Sequence, residues 1–221
     1  MKRKNISQEK IIQSFLSSAF EKGAGGTSLS DISDSLEIKK ASLYNHFENR
    51  DAMYDATLDL CKKEISSINF LADKVIDSIK NGKTSMPAVF KRLITRFFNL
   101  YETEPLFQIY TFVHTEQFFN YNALQIVLNE NEKITDDIRK IFNAFAEIGK
   151  IPEYSDKESR ELAGTIASII LQQRDLYIAN RKEIVRQNPE SGAGSLFALP
   201  TDDIALNKTI KLIDNIINKV I

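Results

Sequence analysis

The sequence predicts an all-α chain, and three observations carry that expectation. Apolar residues recur at spacings of three and four over long stretches, no segment sustains a period-two alternation, and glycine and proline cluster between the stretches. The clusters are Gly23, Gly25 and Gly26; Gly82 and Pro87; Pro105; Gly149 and Pro152; and Pro189, Gly192, Gly194 and Pro200. Between them, helices are expected near residues 7–22, 29–36, 40–46, 50–80 (with room for a break), 87–102, 105–119, 122–148, 156–187 and 202–219. The stretch from Gln187 to Pro200 is the one long irregular connection and is expected to be mobile.

Helix one offers Ile12, Phe15, Leu16, Ala19 and Phe20 as an apolar stripe that stops at Gly23. Helix two begins with a capping box, Ser28 with Asp31, and offers Leu29, Ile32 and Leu36. Only Glu37, Ile38 and Lys39 precede the next helical stretch, where Leu43 and Phe47 stand four apart. Two short helices joined by so tight a turn form a helix-turn-helix, and the third helix is the one that can be presented outward. On a wheel at 100° per residue, with Leu43 and Phe47 inward, Ala41 and Asn45 point away and Ser42 and Tyr44 flank them. That small, polar and aromatic face suits a major groove about 12 Å wide. Tyr44 and His46 can donate to phosphates, Arg50 supplies a charged clamp, and Lys39 and Lys40 add two cations at the turn.

The run from Thr27 to Met53 (TSLSDISDSLEIKKASLYNHFENRDAM) resembles the DNA-binding signature of TetR-type transcriptional regulators. The resemblance covers about residues 7–54. It implies a three-helix DNA-binding domain at 1–49 and a larger helical domain at 50–221 for effector binding and dimerisation. It also implies a homodimer on a palindromic operator, most often a repressor released by a small effector. Carried over position by position, the DNA contacts are Ser28 and Ser30 at the start of helix two, with Leu29 between them. They continue with Lys39, Lys40, Ala41, Ser42, Tyr44, Asn45 and His46 around helix three, and end at Arg50. Lys39 stands where family members commonly carry a serine cap, so its side chain is expected at a phosphate instead. Leu29 and Ser30 stand where a threonine or arginine is frequent. The arm of Lys2, Arg3 and Lys4 could enter an adjacent minor groove.

The segment from Phe90 to Tyr121 holds ten of the 21 aromatic residues. Most are expected to fill a helical core. Their interleaving with Arg96, Gln108, Thr111, His114 and Thr115, together with the family resemblance, points to a pocket for a small apolar or aromatic effector. Phe97, Tyr101, Tyr110 and His114 are its expected lining. Ser155 with Glu158 caps the helix at 156, and Thr201 is expected to cap the last one. The long helix carries the small residues Ala163, Gly164, Ala167 and Ser168, and the last helix a seam of Leu206, Ile210, Ile213, Ile217 and Val220. These two helices are expected to form a dimer interface, with packing inside one chain as the competing reading.

Composition narrows the function classes. The net charge is −1, and residues 1–53 carry 8 basic and 7 acidic side chains, so DNA binding must rest on local placement of a few cations. At 43% hydrophobic content and mean hydropathy −0.26 the chain reads as globular, with no run of roughly 18 apolar residues for a membrane span. A cytoplasmic location without membrane partners is expected, and the single Cys61 excludes an internal disulfide framework. An enzyme is disfavoured: the chain has two histidines, no His-Glu-x-x-His, no Gly-x-Ser-x-Gly and no Cys or His pair at ligand spacing, and no cofactor is expected. The alternative is a helical small-molecule-binding or interaction module that does not regulate transcription.

Overall fold

The computed structural model describes residues 6–187 and 201–220. The expected basic arm (Lys2, Arg3, Lys4) and most of the 187–200 connection lie outside them. In chain order the helices are α1 (Gln8–Lys22), α2 (Leu29–Ser35), a 3₁₀ helix (Lys40–Asn45), α3 (Arg50–Ser67), α4 (Val75–Lys80), α5 (Met86–Leu100), α6 (Leu106–Glu116), α7 (Tyr121–Glu147), α8 (Asp156–Gln187) and α9 (Asp203–Val220). No strand occurs among the described residues, and no helix is long and apolar enough to cross a membrane.

Two compact units emerge, one comprising residues 1–67 and 105–127, the other 68–104 and 128–221. They do not coincide with a division at residue 50. α3 and α6 pack with α1 and therefore belong to the first unit. Its core joins Ile11, Phe15, Leu16 and Ala19 of α1, Ile32 of α2, Leu43, Phe47, Met53, Leu58, Cys61 and Ile65, and Ile109, Phe112 and Val113 of α6. Cys61 is filler within it, and burial pushes its thiol pKa up to about 12. Phe15 meets Tyr54 and Phe112 edge-on, at centroid distances of 6.2 and 6.3 Å.

The expected 50–80 helix is broken between Ser67 and Val75, and the break, residues 68–74, belongs to the second unit. Side chains of the same unit hold the break open. Arg96 donates to the carbonyls of Asn69 and Phe70, Lys133 Nζ to that of Ile68 (2.6 Å), and Asp137 Oδ2 accepts from the Leu71 amide (3.1 Å). These long-range partners are invisible to local periodicity.

At the centre of this unit Arg174 of α8 is fully buried and forms a bidentate pair with Glu130 of α7, at 2.7 and 3.0 Å. The Tyr101 hydroxyl donates to the same carboxylate at 2.5 Å, and the guanidinium lies 4.8 Å from the ring centroids of both Phe97 and Tyr101. The Tyr101 phenol pKa is pushed well up, first by burial and then by the Glu130 charge.

Two expectations about α8 and α9 need correction. The cap of α9 is Asp202, whose Oδ1 accepts from the Ala205 amide at 3.0 Å; Thr201 instead donates to Glu102 Oε2 at 2.9 Å. The seam residues Leu206, Ile210, Ile213 and Ile217 are all less than a tenth exposed, because α9 lays them against α5 and α8 of its own chain. The competing reading, packing inside one chain, therefore describes the seam. Val220 falls outside the described side chains. By contrast the capping boxes at Ser28 and Ser155 form as expected.

A buried ion pair is costly to break and cheap to replace whole. Glu130→Ala, which leaves Arg174 buried without its carboxylate, should lower unfolding free energy by about 3–5 kcal/mol in urea titration. Glu130→Leu combined with Arg174→Met should recover most of that loss; a double variant as unstable as the single one would contradict the account.

Candidate nucleic-acid interface

The outward segment is a 3₁₀ helix with three residues per turn, which redistributes the faces drawn at 100° per residue. At 120° per residue Ala41 and Tyr44 form one row and Ser42 and Asn45 the next, the two rows together making an outward ridge, while Leu43 points inward. Exposure follows that geometry. Lys39, Lys40, Ala41, Tyr44 and Asn45 are exposed, Ser42 and His46 half-buried, and Leu43 and Phe47 buried in the core. Tyr44, a large aromatic, is 51% exposed. Lys39 precedes the segment in extended backbone and makes no side-chain cap, as its chemistry requires.

Ser28 and Ser30 are exposed at the start of α2. The Ser28 hydroxyl is engaged locally: it accepts from the Asp31 amide at 3.2 Å and donates to Asp31 Oδ2 at 2.7 Å. Asp31 also pairs with Lys22 at 2.5 Å. Lys22 and the two Ser28 hydrogen bonds hold its carboxyl pKa well below the ordinary 3.8.

Arg50 sits differently from the outward clamp expected of it. Its Nε donates to the Thr27 carbonyl at 2.9 Å, its Nη2 to the Ala24 carbonyl, and its guanidinium lies 5.5 Å from the Phe15 ring centroid. Those donors tie the glycine loop between α1 and α2 to the start of α3. Gln8 adds a second tie, donating from Nε2 to the His46 carbonyl at 2.9 Å and fastening the end of the 3₁₀ helix to α1. Nothing in the local sequence pattern marks Gln8. Asn49 caps α3 by accepting from the Ala52 amide at 2.8 Å. Across the same unit the Tyr54 hydroxyl donates to Glu116 Oε2 at 2.8 Å, and burial followed by that carboxylate raises its pKa.

The result is a small rigid head with an exposed ridge of Ala41, Tyr44 and Asn45, two lysines at its N-terminal end, and an apolar underside. Residues 16–57 match the family model described as bacterial regulatory proteins, tetR family. The match and the geometry support a TetR-type transcriptional regulator.

The chain is 26% identical over 137 residues to the biofilm operon icaADBC HTH-type negative transcriptional regulator IcaR of Staphylococcus aureus, covering 62% of this chain and 69% of that protein. Its Staphylococcus epidermidis counterpart is 44% identical over 54 residues, 24% of this chain and 29% of that one. Two solved structures share the fold. A TetR-family regulator from Marinobacter aquaeolei matches at TM-score 0.54 and 14% identity, covering 96% of this chain and 98% of that one. One from Legionella pneumophila matches at TM-score 0.51 and 18% identity, covering 97% and 98%.

The four expected effector-lining residues fall in two pairs. In the second unit Phe97 and Tyr101 are in edge contact at 5.3 Å and, as described, enclose the Arg174 guanidinium. In the first unit Tyr110 and His114 stack at 3.9 Å. Of the ten aromatics from Phe90 to Tyr121, seven are buried, whereas Phe118, Phe119 and Tyr121 are 80%, 83% and 73% exposed. No group of three or more His, Cys, Asp and Glu side chains that could hold a metal occurs among the described residues.

A carboxyl group whose pKa is lowered by folding contributes stability above its unfolded value and loses it as pH falls through the folded one. The Asp31 contribution is therefore complete above about pH 5 and fades below pH 4. Asp31→Asn should be less stable than the parent at neutral pH, and the two melting curves should converge on acidification towards pH 2. A constant gap across that range would show that Asp31 does not act through its charge.

Proposed function

We propose that this regulator is a ligand-responsive repressor that binds a palindromic operator as a homodimer in the cytoplasm. The observation that carries the reading is the exposed ridge of Ala41, Tyr44 and Asn45 above buried Leu43 and Phe47. Side chains so placed can enter a major groove while the rest of the head stays packed. Lys39, Lys40 and Tyr44 hold phosphates, Asn45 reads a base edge, Ala41 and Ser42 permit close approach, and His46 and Ser30 sit at the margins. Ser28 contributes through its backbone and its cap. Arg50 positions the glycine loop, and its hydrogen bonds to Thr27 and Ala24 make it a support for the head. Repression is supported by the similarity to negative regulators of staphylococci.

Dimerisation through α8 and α9 is supported by the apolar side chains those helices leave exposed: Leu176 and Ile184 on one, Ile204 and Leu212 on the other. A small effector is the reading's third component, with residues 50–221 as its domain. An effector that used Phe97 and Tyr101 as walls would have to displace Arg174 from between them. Tyr110 and His114 form a separate candidate lining.

Tyr44→Ala should weaken binding to operator and random DNA alike, by about tenfold for the loss of one charge-assisted phosphate hydrogen bond. Asn45→Ala should lower discrimination at one base pair by about 1–3 kcal/mol. Fluorescence anisotropy on the fragment upstream of the protein's own gene, against scrambled DNA, measures both. Parent log affinity should fall with log salt at a slope near −0.9 per neutralised phosphate. An affinity for that fragment no greater than for scrambled DNA, or a chain that stays monomeric in sedimentation, would overturn the reading.

A further inference from the structure

The second unit contains a cavity of about 540 Å³ far along the sequence from the reading head, lined by residues 82–87 at the start of α5, by Phe145, Lys150 and Ile151 after α7, and by Ile217 and Asn218 of α9. Its volume lies within the range of small-molecule sites. Met86, Phe145, Ile151 and Ile217 make its floor, each less than a tenth exposed. Two lysines, Lys83 and Lys150, stand exposed on its walls.

The two lysines arrive there by the same local device. α4 ends at Gly82 (φ +66°), whose amide donates to the Ile79 carbonyl at 2.8 Å, while the Lys83 amide reaches back five residues to Ser78 at 2.9 Å. α7 ends at Gly149 (φ +65°), with its amide on Ala146 at 2.8 Å and the Lys150 amide on Phe145 at 3.0 Å. Both are Schellman closures, which require a residue at positive φ and fix the backbone of the one that follows. Each Gly-Lys pair therefore places its lysine on a rigid backbone. The helix ends are also tied together, since Lys80 pairs with Glu147 at 2.7 Å. That pair neutralises Glu147, whereas Lys83 and Lys150 have no salt-bridge partner among the described residues.

We infer that this cavity binds an amphipathic anion: an apolar chain on the floor of Met86, Phe145, Ile151 and Ile217, with a carboxylate or phosphate head held between Lys83 and Lys150. The apolar floor excludes a bare inorganic anion, and the paired cations favour a charged head over a neutral one. This site is separate from the aromatic residues discussed above as effector linings, and binding at it does not depend on the DNA-binding reading.

Calorimetric titration with decanoate, decyl phosphate and decanol tests the assignment on the full chain. Decanoate or decyl phosphate should bind at one per protomer, and the stronger of the two identifies the head. Lys83→Gln with Lys150→Gln should weaken that ligand at least tenfold while leaving decanol unchanged. Asn218→Trp, on the exposed wall, should obstruct both the anion and decanol. Lysines this close to helix C-termini could instead serve only the helix dipoles. In that case the double variant melts at a lower temperature but binds the anion as the parent does, and the proposal fails. Absence of binding to the parent by either anion overturns it as well.

Discussion

A six-residue 3₁₀ helix has too few hydrogen bonds to stand alone, so the reading head exists only because Leu43 and Phe47 are buried beneath it. Each such side chain contributes about 1.5–3 kcal/mol when withdrawn from water. Everything outward follows from that anchoring. With Leu43 fixed in the core beside Ile32, Phe15 and Met53, the ridge of Ala41, Tyr44 and Asn45 has one orientation available to it. Gln8 and Arg50 then remove the residual freedom at the two places where helix pairing leaves backbone carbonyls uncovered, the end of the 3₁₀ helix and the glycine loop.

Arg50 illustrates how far a sequence pattern can be trusted. An arginine opening a helix next to a DNA-contacting segment reads as a phosphate clamp, because its charge and reach are visible in the sequence and its hydrogen-bond partners are not. Those partners, the Thr27 and Ala24 carbonyls, lie 23 and 26 residues away in a loop that offers them no helical N–H to accept from. The inward position resolves that deficit. Conversely, the residues that periodicity marked as core (Phe15, Leu16, Ile32, Leu43 and Phe47) are core, since a 3.6-residue repeat reports burial directly. Caps were equally legible wherever a serine stood three residues before an acid. At α9 two adjacent candidates competed, and the aspartate took the cap while the threonine found Glu102.

Aromatic density was a less faithful guide than spacing. From Phe90 to Phe112 the rings follow helical registers and are buried, but Phe118, Phe119 and Tyr121 sit where α6 ends and α7 begins, and composition alone does not distinguish them. Likewise no pattern reveals that a cation occupies the space between Phe97 and Tyr101. Arg174 looks like one more polar residue on a long helix. Its carboxylate partner, 44 residues earlier on α7, is what permits its burial.

That arrangement constrains how a ligand could act in the second unit. A guanidinium flanked by two rings and gripped by Glu130 through both oxygens is a compensated charge. Displacing it requires a guest that either restores a carboxylate to Arg174 or carries it, still paired, to a new position, because an uncompensated buried charge costs more than the contacts of a small apolar molecule return. A neutral aromatic effector fits neither condition at this centre. An anionic one meets the first by competing with Glu130 for the guanidinium, provided the displaced Glu130 carboxylate is protonated or finds another partner. At this centre the chemistry of Arg174 thus favours a negatively charged guest over a neutral one. The apolar seam of α9 points the same way: Leu206, Ile210, Ile213 and Ile217, already packed within the chain, have no polar atoms to offer a ligand at this centre, whereas the Glu130–Arg174 pair has.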